Sequence, residues 1–181
     1  MTKPSQTQLK SPEIINAATQ YKIVEHWLSR FETALNLLNH KLLKNIFIGN
    51  SHWRDLLAIS GKVKTVTGRN DIANELISHA AEKQMSSFMI DPDRMQPRLA
   101  KRSGKKVLEA LFTFDIPQGT ASGILRLALP TKRTDCYKAW TIGTVLEELK
   151  GENRRYHVLF LLFFYRELLG VSPICPNPRD E

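Results

Sequence analysis

The run Lys106-Val107-Leu108-Glu109-Ala110-Leu111-Phe112-Thr113-Phe114-Asp115-Ile116 decides the fold of this 181-residue chain. Leu108, Ala110, Phe112 and Phe114 fall on one side of a two-residue period. Val107, Glu109, Leu111, Thr113 and Asp115 fall on the other, so the segment is a β-strand whose Phe112/Phe114 side turns to the core. Downstream, Pro117-Gln118-Gly119 makes a turn, and Gly123 to Leu129 gives the next strand. Pro130 to Asp135 turns again, and Tyr137 to Leu149 forms a long strand ending at Lys150-Gly151. Three consecutive strands joined by short turns predict an antiparallel meander.

Upstream the period is helical. Ile23, Val24, Trp27, Leu28, Phe31, Leu35 and Leu38 form an apolar stripe from Tyr21 to Leu38, and a second short helix runs from about His40 to Phe47. Gly49-Asn50-Ser51 breaks it, and Ser51 is placed to cap a helical turn carrying His52 to Ile59. A short strand follows between Gly61 and Gly68, then a helix capped by Asn70 or Asp71 and running through Leu76 and Ala80. From Lys83 onward the period is two. Helices first and a bent antiparallel sheet afterwards predict an α+β domain in which the N-terminal helices cover the apolar face of the sheet.

Hydrophobic residues make up 42% of the chain and charged residues 24%, which excludes global disorder and fibrous repeats and fits one domain. The expected layout is a flexible segment over 1–20, the folded domain over 21–151 and an atypical tail over 152–181. Within the tail, the apolar run Tyr156 to Tyr165 is shorter than the about 20 residues a bilayer-spanning helix needs. It reads as a packed terminal element, as a surface for another chain, or as the product of a truncation. Met1 to Ser11 resembles neither a secretory signal nor a targeting helix.

Cys136 and Cys175 match no metal or CxxC spacing and are expected to be free thiols of a cytoplasmic protein. His26, His40, His79 and His157 are scattered, and no metal site is expected. No GxGxxG follows a strand, no GxxxxGK[ST] occurs, and no GxSxG elbow is present, so no cofactor of its own and no such nucleophile are expected. The net charge is +8 and the densest basic cluster is Arg94, Arg98, Lys101, Arg102, Lys105 and Lys106. It holds no aromatic residue to stack on bases and is read as a solvated loop and strand end, which leaves nucleic acid an unexpected partner.

The candidate acid/base pair is His52 and Asp55. Their i,i+3 spacing sets them on one side of the expected turn, although Asp55 paired with Arg54 or Arg69 would be purely structural. Trp53 and Trp140 are read as pocket walls or as core packing. Glu109 and Asp115 share one face of their strand with Thr113 and either line a pocket or meet solvent. Arg126 is equally open.

Across residues 24–151 the order of these elements resembles a known family. The helix with Trp27 and Phe31, Trp53-Arg54-Asp55-Leu56-Leu57, Gly68-Arg69, Ala110 to Phe114, Gly123 to Leu127 and Lys138-Ala139-Trp140-Thr141 look like the NTF2-like (SnoaL-like) superfamily. They are most similar to the N-terminal cone domain of flavin-dependent monooxygenases. The resemblance implies a cone with an apolar cavity, a small hydrophobic ligand and a homodimer. In the family a flavin-binding GxGxxG segment would follow Gly151, and here it does not. The resemblance thus implies a stand-alone binder, or a cofactor-free isomerase or cyclase of a biosynthetic pathway, using His52 and Asp55. Its alternative is a truncated or partner-dependent monooxygenase fragment that serves as an interaction module for a separate flavoprotein.

Overall fold

A computed structural model describes residues 15–91, 93–131 and 136–150. The apolar run at 156–165 and Cys175 lie outside the described residues. Helix α1 (Ala17–Asn36) begins four residues before its apolar stripe, because the Asn16 side chain accepts from Thr19 N and starts the helix there. Asn39 caps α2 (His40–Asn45) in the same way, through Leu42 N. Then follow β1 (Phe47–Leu56), β2 (Val63–Thr67), α3 (Arg69–Lys83), β3 (Ser86–Ile90), β4 (Arg98–Arg102), β5 (Lys105–Ile116), β6 (Gly119–Ala128) and β7 (Lys138–Leu149). The fold is α+β, with a strongly curled, unclosed sheet of seven strands.

The meander β5–β6–β7 is present with its antiparallel register. Two features depart from the sequence expectation. The stretch from Ser51 to Leu56 is strand β1 and not a helical turn, since Ser51, Trp53 and Asp55 alternate as buried residues and pair with β2 on one side and β7 on the other. The β1–β7 pairing is parallel inside an otherwise antiparallel sheet. The chain ends its sheet beside the strand that began it, giving the order β2-β1-β7-β6-β5-β3 with β4 also on β5.

One face of the sheet packs on the helices. Trp27, Phe31, Phe47, Phe88, Phe112 and Phe114 form a continuous aromatic cluster there, with ring centroids from 4.8 to 6.3 Å apart. Trp27 also donates Nε1–H to the Ile46 carbonyl at 3.1 Å, the same oxygen that accepts from Ala139 N, so α1 is tied to the β1–β7 junction. The opposite, far face carries a small apolar group of Leu56, Leu111, Ile124 and Val145, against which Met95 packs. β3 and β4 pair with different halves of β5, and Met95 lies on the connection between them.

Candidate functional site

The strand identity of β1 separates the residues predicted to work together. In a strand, positions three apart point to opposite faces. Asp55 therefore shares the helix-packed face with Trp53, while His52 lies on the far face, where its Nδ1 is 3.1 Å from Thr67 Oγ1. The geometric ground for a His52/Asp55 acid/base pair is removed.

Asp55 is fully buried and engaged in holding the chain. Its carboxylate accepts from Ile59 N at 3.2 Å, from Ser60 N and Ser60 Oγ at 2.6 Å each, and from Thr144 Oγ1 at 2.7 Å. Thr144 in turn accepts from Trp53 Nε1 at 3.0 Å. The line Trp53–Thr144–Asp55 thus closes the loop after β1 onto β7. Neither Arg54 nor Arg69 is bonded to Asp55, so its buried carboxyl group is held by N–H and O–H donors.

On the far face, register aligns one row of polar side chains across six strands. Thr67 of β2 lies opposite His52 of β1, His52 opposite Thr141 of β7, Thr141 opposite Arg126 of β6, Arg126 opposite Glu109 of β5, and Glu109 opposite Arg98 of β4. Glu109 and Arg126 are buried, at 1% and 4% exposure. Arg102 grips Glu109 with both prongs, Nε to Oε2 at 2.9 Å and Nη2 to Oε1 at 2.6 Å, and Arg126 Nε reaches Oε2 at 2.8 Å. Burial alone raises the Glu109 pKa, but hydrogen bonds from Arg102 and Arg126 and the charges of both outweigh it, and the carboxyl sits below its ordinary value. Glu109 is an anchored anion.

Two irregularities interrupt the register of β7. Thr120 pairs with Glu148 and Ala121 with Leu146, which leaves Glu147 as an extra residue; Arg126 pairs with Thr141 and Leu127 with Ala139, which leaves Trp140 as another. Trp140 carries the Lys105 ammonium 4.9 Å from its ring centroid. Glu147 is buried, bonds to Ser122 Oγ and accepts from Arg94 Nη1 at 3.0 Å, while Arg94 Nε meets Asp91 Oδ2 at 3.2 Å. Asp91 Oδ1 also accepts from the backbone of Asp93 and Arg94, fixing the arginine's approach.

Beside this group opens a cleft of about 470 Å³, lined by Ser87, Met89, Arg94, Thr113, Phe114, Asp115, Thr120, Ala121, Glu147 and Glu148. Asp115 is exposed on it, with no side-chain partner among the described residues. The structure thus brings Asp115 together with Arg94 and Glu147, which had not been singled out as site residues. It sets Glu109 with Arg126 further along the same face and leaves Trp53 and Asp55 on the other side of the sheet. The Glu147-Glu148 pair inside an apolar strand was the available signal, because two successive acids cannot both follow the alternation. Cys136 is an exposed free thiol. Among the described residues no group of three or more His, Cys, Asp or Glu forms a metal site, and no helix is long and apolar enough to cross a membrane.

No protein-family model matches the chain, and no curated protein matches it. Solved structures do. An NTF2-like superfamily protein from Salmonella enterica serovar Typhimurium is 12% identical, with a TM-score of 0.49 over 78% of this chain and 100% of that one. An NTF2-like protein with a cystatin-like fold from Novosphingobium aromaticivorans is 11% identical, with a TM-score of 0.48 over 75% of this chain and 86% of that one. A DUF4783 family protein from Bacteroides uniformis is 9% identical, with a TM-score of 0.46 over 66% of this chain and 96% of that one. The likeness is in the order and arrangement of helices and strands.

Proposed function

We propose that this chain is a small-molecule-binding domain whose ligand, an apolar body bearing a hydroxyl or amine, sits in the cleft bounded by Met89, Arg94, Asp115 and Glu147. What supports the reading is the cleft itself: its volume of about 470 Å³ falls in the roughly 300–1,000 Å³ range of ligand sites. Met89 offers apolar wall, and Asp115, exposed beside the Arg94–Glu147 pair, leaves the lining acidic. A cationic or hydroxyl-bearing ligand suits that balance better than an anion. If the domain is catalytic, proton transfer without a cofactor fits the lining, with Asp115 as the base and the Arg94–Glu147 pair fixing the ligand. On this reading the proton transfer of an isomerase or cyclase would run at the Asp115 cleft and not between His52 and Asp55.

Ligand-observed NMR with a mixed set of cationic, neutral and anionic fragments tests the reading, with Thr120→Trp as the blocked variant. Thr120 is exposed on β6 and lines the cleft, so an indole there fills the space without entering the core. The expected result is a set of amine and alcohol hits that disappear in Thr120→Trp while the circular dichroism is unchanged. Hits that persist in the folded variant would move the ligand elsewhere and overturn the assignment.

A further inference from the structure

Arg126 is a surplus buried charge. Arg102 and Glu109 form a two-pronged pair that is already neutral, at 2.9 and 2.6 Å. Arg126 reaches the same carboxylate through Nε alone, at 2.8 Å, and that is its one side-chain hydrogen bond among the described residues. Its side chain is 5% exposed, and no second acceptor for its guanidinium is found among the described residues. A buried guanidinium with one satisfied prong is costly unless a second acceptor completes it.

The neighbours of that guanidinium are suited to an anion. Thr141 is the register partner of Arg126 on β7, and its Oγ1 is buried without a hydrogen-bond partner. Facing side chains on adjacent strands stand about 4.5–5.5 Å apart at Cβ, so one oxyanion can take both an Arg126 N–H and the Thr141 hydroxyl. Arg98, with a 54% exposed side chain, stands at the rim 3.5 Å from Glu109 and adds a third positive charge around that single carboxylate. Beyond it the β4–β5 hairpin presents Lys101, Lys105 and Lys106 to solvent, with Lys105 over the Trp140 ring. A converging field of this sign draws in anions.

We propose that the far face carries an oxyanion-binding site in which Arg126 and Thr141, with Arg98 at the rim, hold the phosphate or carboxylate group of a small ligand beside the Arg102–Glu109 anchor. The site is separate from the acidic cleft, and Leu111 and Ile124 lie between the two along β5 and β6. It does not depend on the reading of that cleft.

Isothermal titration and thermal unfolding with sodium phosphate and with sodium acetate, each against sodium chloride at equal ionic strength, test the proposal and rank the two oxyanions. Arg126→Gln leaves the two-pronged Arg102–Glu109 pair in place and is the informative variant, beside Thr141→Val. The expected result is saturable binding of at least one oxyanion to the native chain. It is lost in the folded Arg126→Gln variant and weakened about tenfold by Thr141→Val. Responses no larger than chloride gives, or saturable binding unchanged in both variants, would overturn it. So would oligonucleotide binding that accounts for all anion affinity and vanishes only when Lys101, Lys105 and Lys106 are replaced, since that result assigns the charge to a diffuse polyanion surface.

Discussion

Gly123 lies directly under the ring of Phe112. A Cβ built on Gly123 falls 2.3 Å from Phe112 Cζ and 2.4 Å from the Gly143 carbonyl oxygen. β6 can pass between β5 and β7 here only without a side chain, and the Phe112 ring fills the space instead. Gly123→Ala is expected to destabilise the domain by about 2–3 kcal/mol, the usual penalty for overpacking a tight core. Urea unfolding measures it, and a loss under about 0.5 kcal/mol, the scale of an ordinary surface change, would show that the ring moves freely.

Asp55→Ala removes the acceptor for two backbone N–H groups and two hydroxyls. Each orphaned buried donor costs about 1–3 kcal/mol, so a loss of about 3 kcal/mol or more is expected. Thr144→Val should cost about 1–2 kcal/mol by stranding Trp53 Nε1. The two side chains are hydrogen-bonded to each other, so a double-mutant cycle should return a coupling of at least about 0.5 kcal/mol.

His52 gives the contrasting case. Because it lies across the sheet from Asp55, His52→Ala and Asp55→Asn should add to within about 0.5 kcal/mol. His52→Ala alone should cost about 0.5 kcal/mol or less, the scale of a surface change. A measured coupling above about 1 kcal/mol would place the two side chains at one site after all.

Glu109 sets a pH dependence. Its folded pKa lies below the ordinary value of 4.5, so the unfolded chain takes up the proton first as pH falls. The stabilisation it contributes is complete above about pH 4.5 and is lost as pH drops through the folded value. The stability advantage of the native chain over Glu109→Gln should thus be constant from pH 7 to 5 and shrink below pH 4. A gap that widens on acidification would reverse the sign of the shift.

The legible parts of this fold are those whose signal is local. The apolar stripes of α1 and the alternation through Phe112 and Phe114 carry their periods in the sequence, and the meander follows from the turns beside them. β1 was not legible, because Gly49-Asn50-Ser51 imitates a helix cap and Trp53-Arg54-Asp55-Leu56-Leu57 imitates a helical turn. Pairing with β2 and with β7, the latter about ninety residues away in sequence, selects the strand. The site suffered the same way. Glu109 and Asp115 were visible as acids on one face, but which face met solvent depended on neighbours in other strands. Trp140 owes its position to a register shift that no single strand encodes.

The sharing of β5 between β3 and β4 bears on how the protein behaves in a crowd. The twelve-residue β5 would be a long bare template at the margin of the sheet if left uncovered. Two five-residue strands cover it instead, and the opposite margin is the five-residue β2. β4 bears Arg98, Lys101 and Arg102, and β2 bears Lys64. Among the described residues, then, every margin of the sheet is a short strand, and two of the three are charged. A second chain offering a strand there would gain few hydrogen bonds and meet like charge, so the division of β5's border guards the domain against runaway self-association.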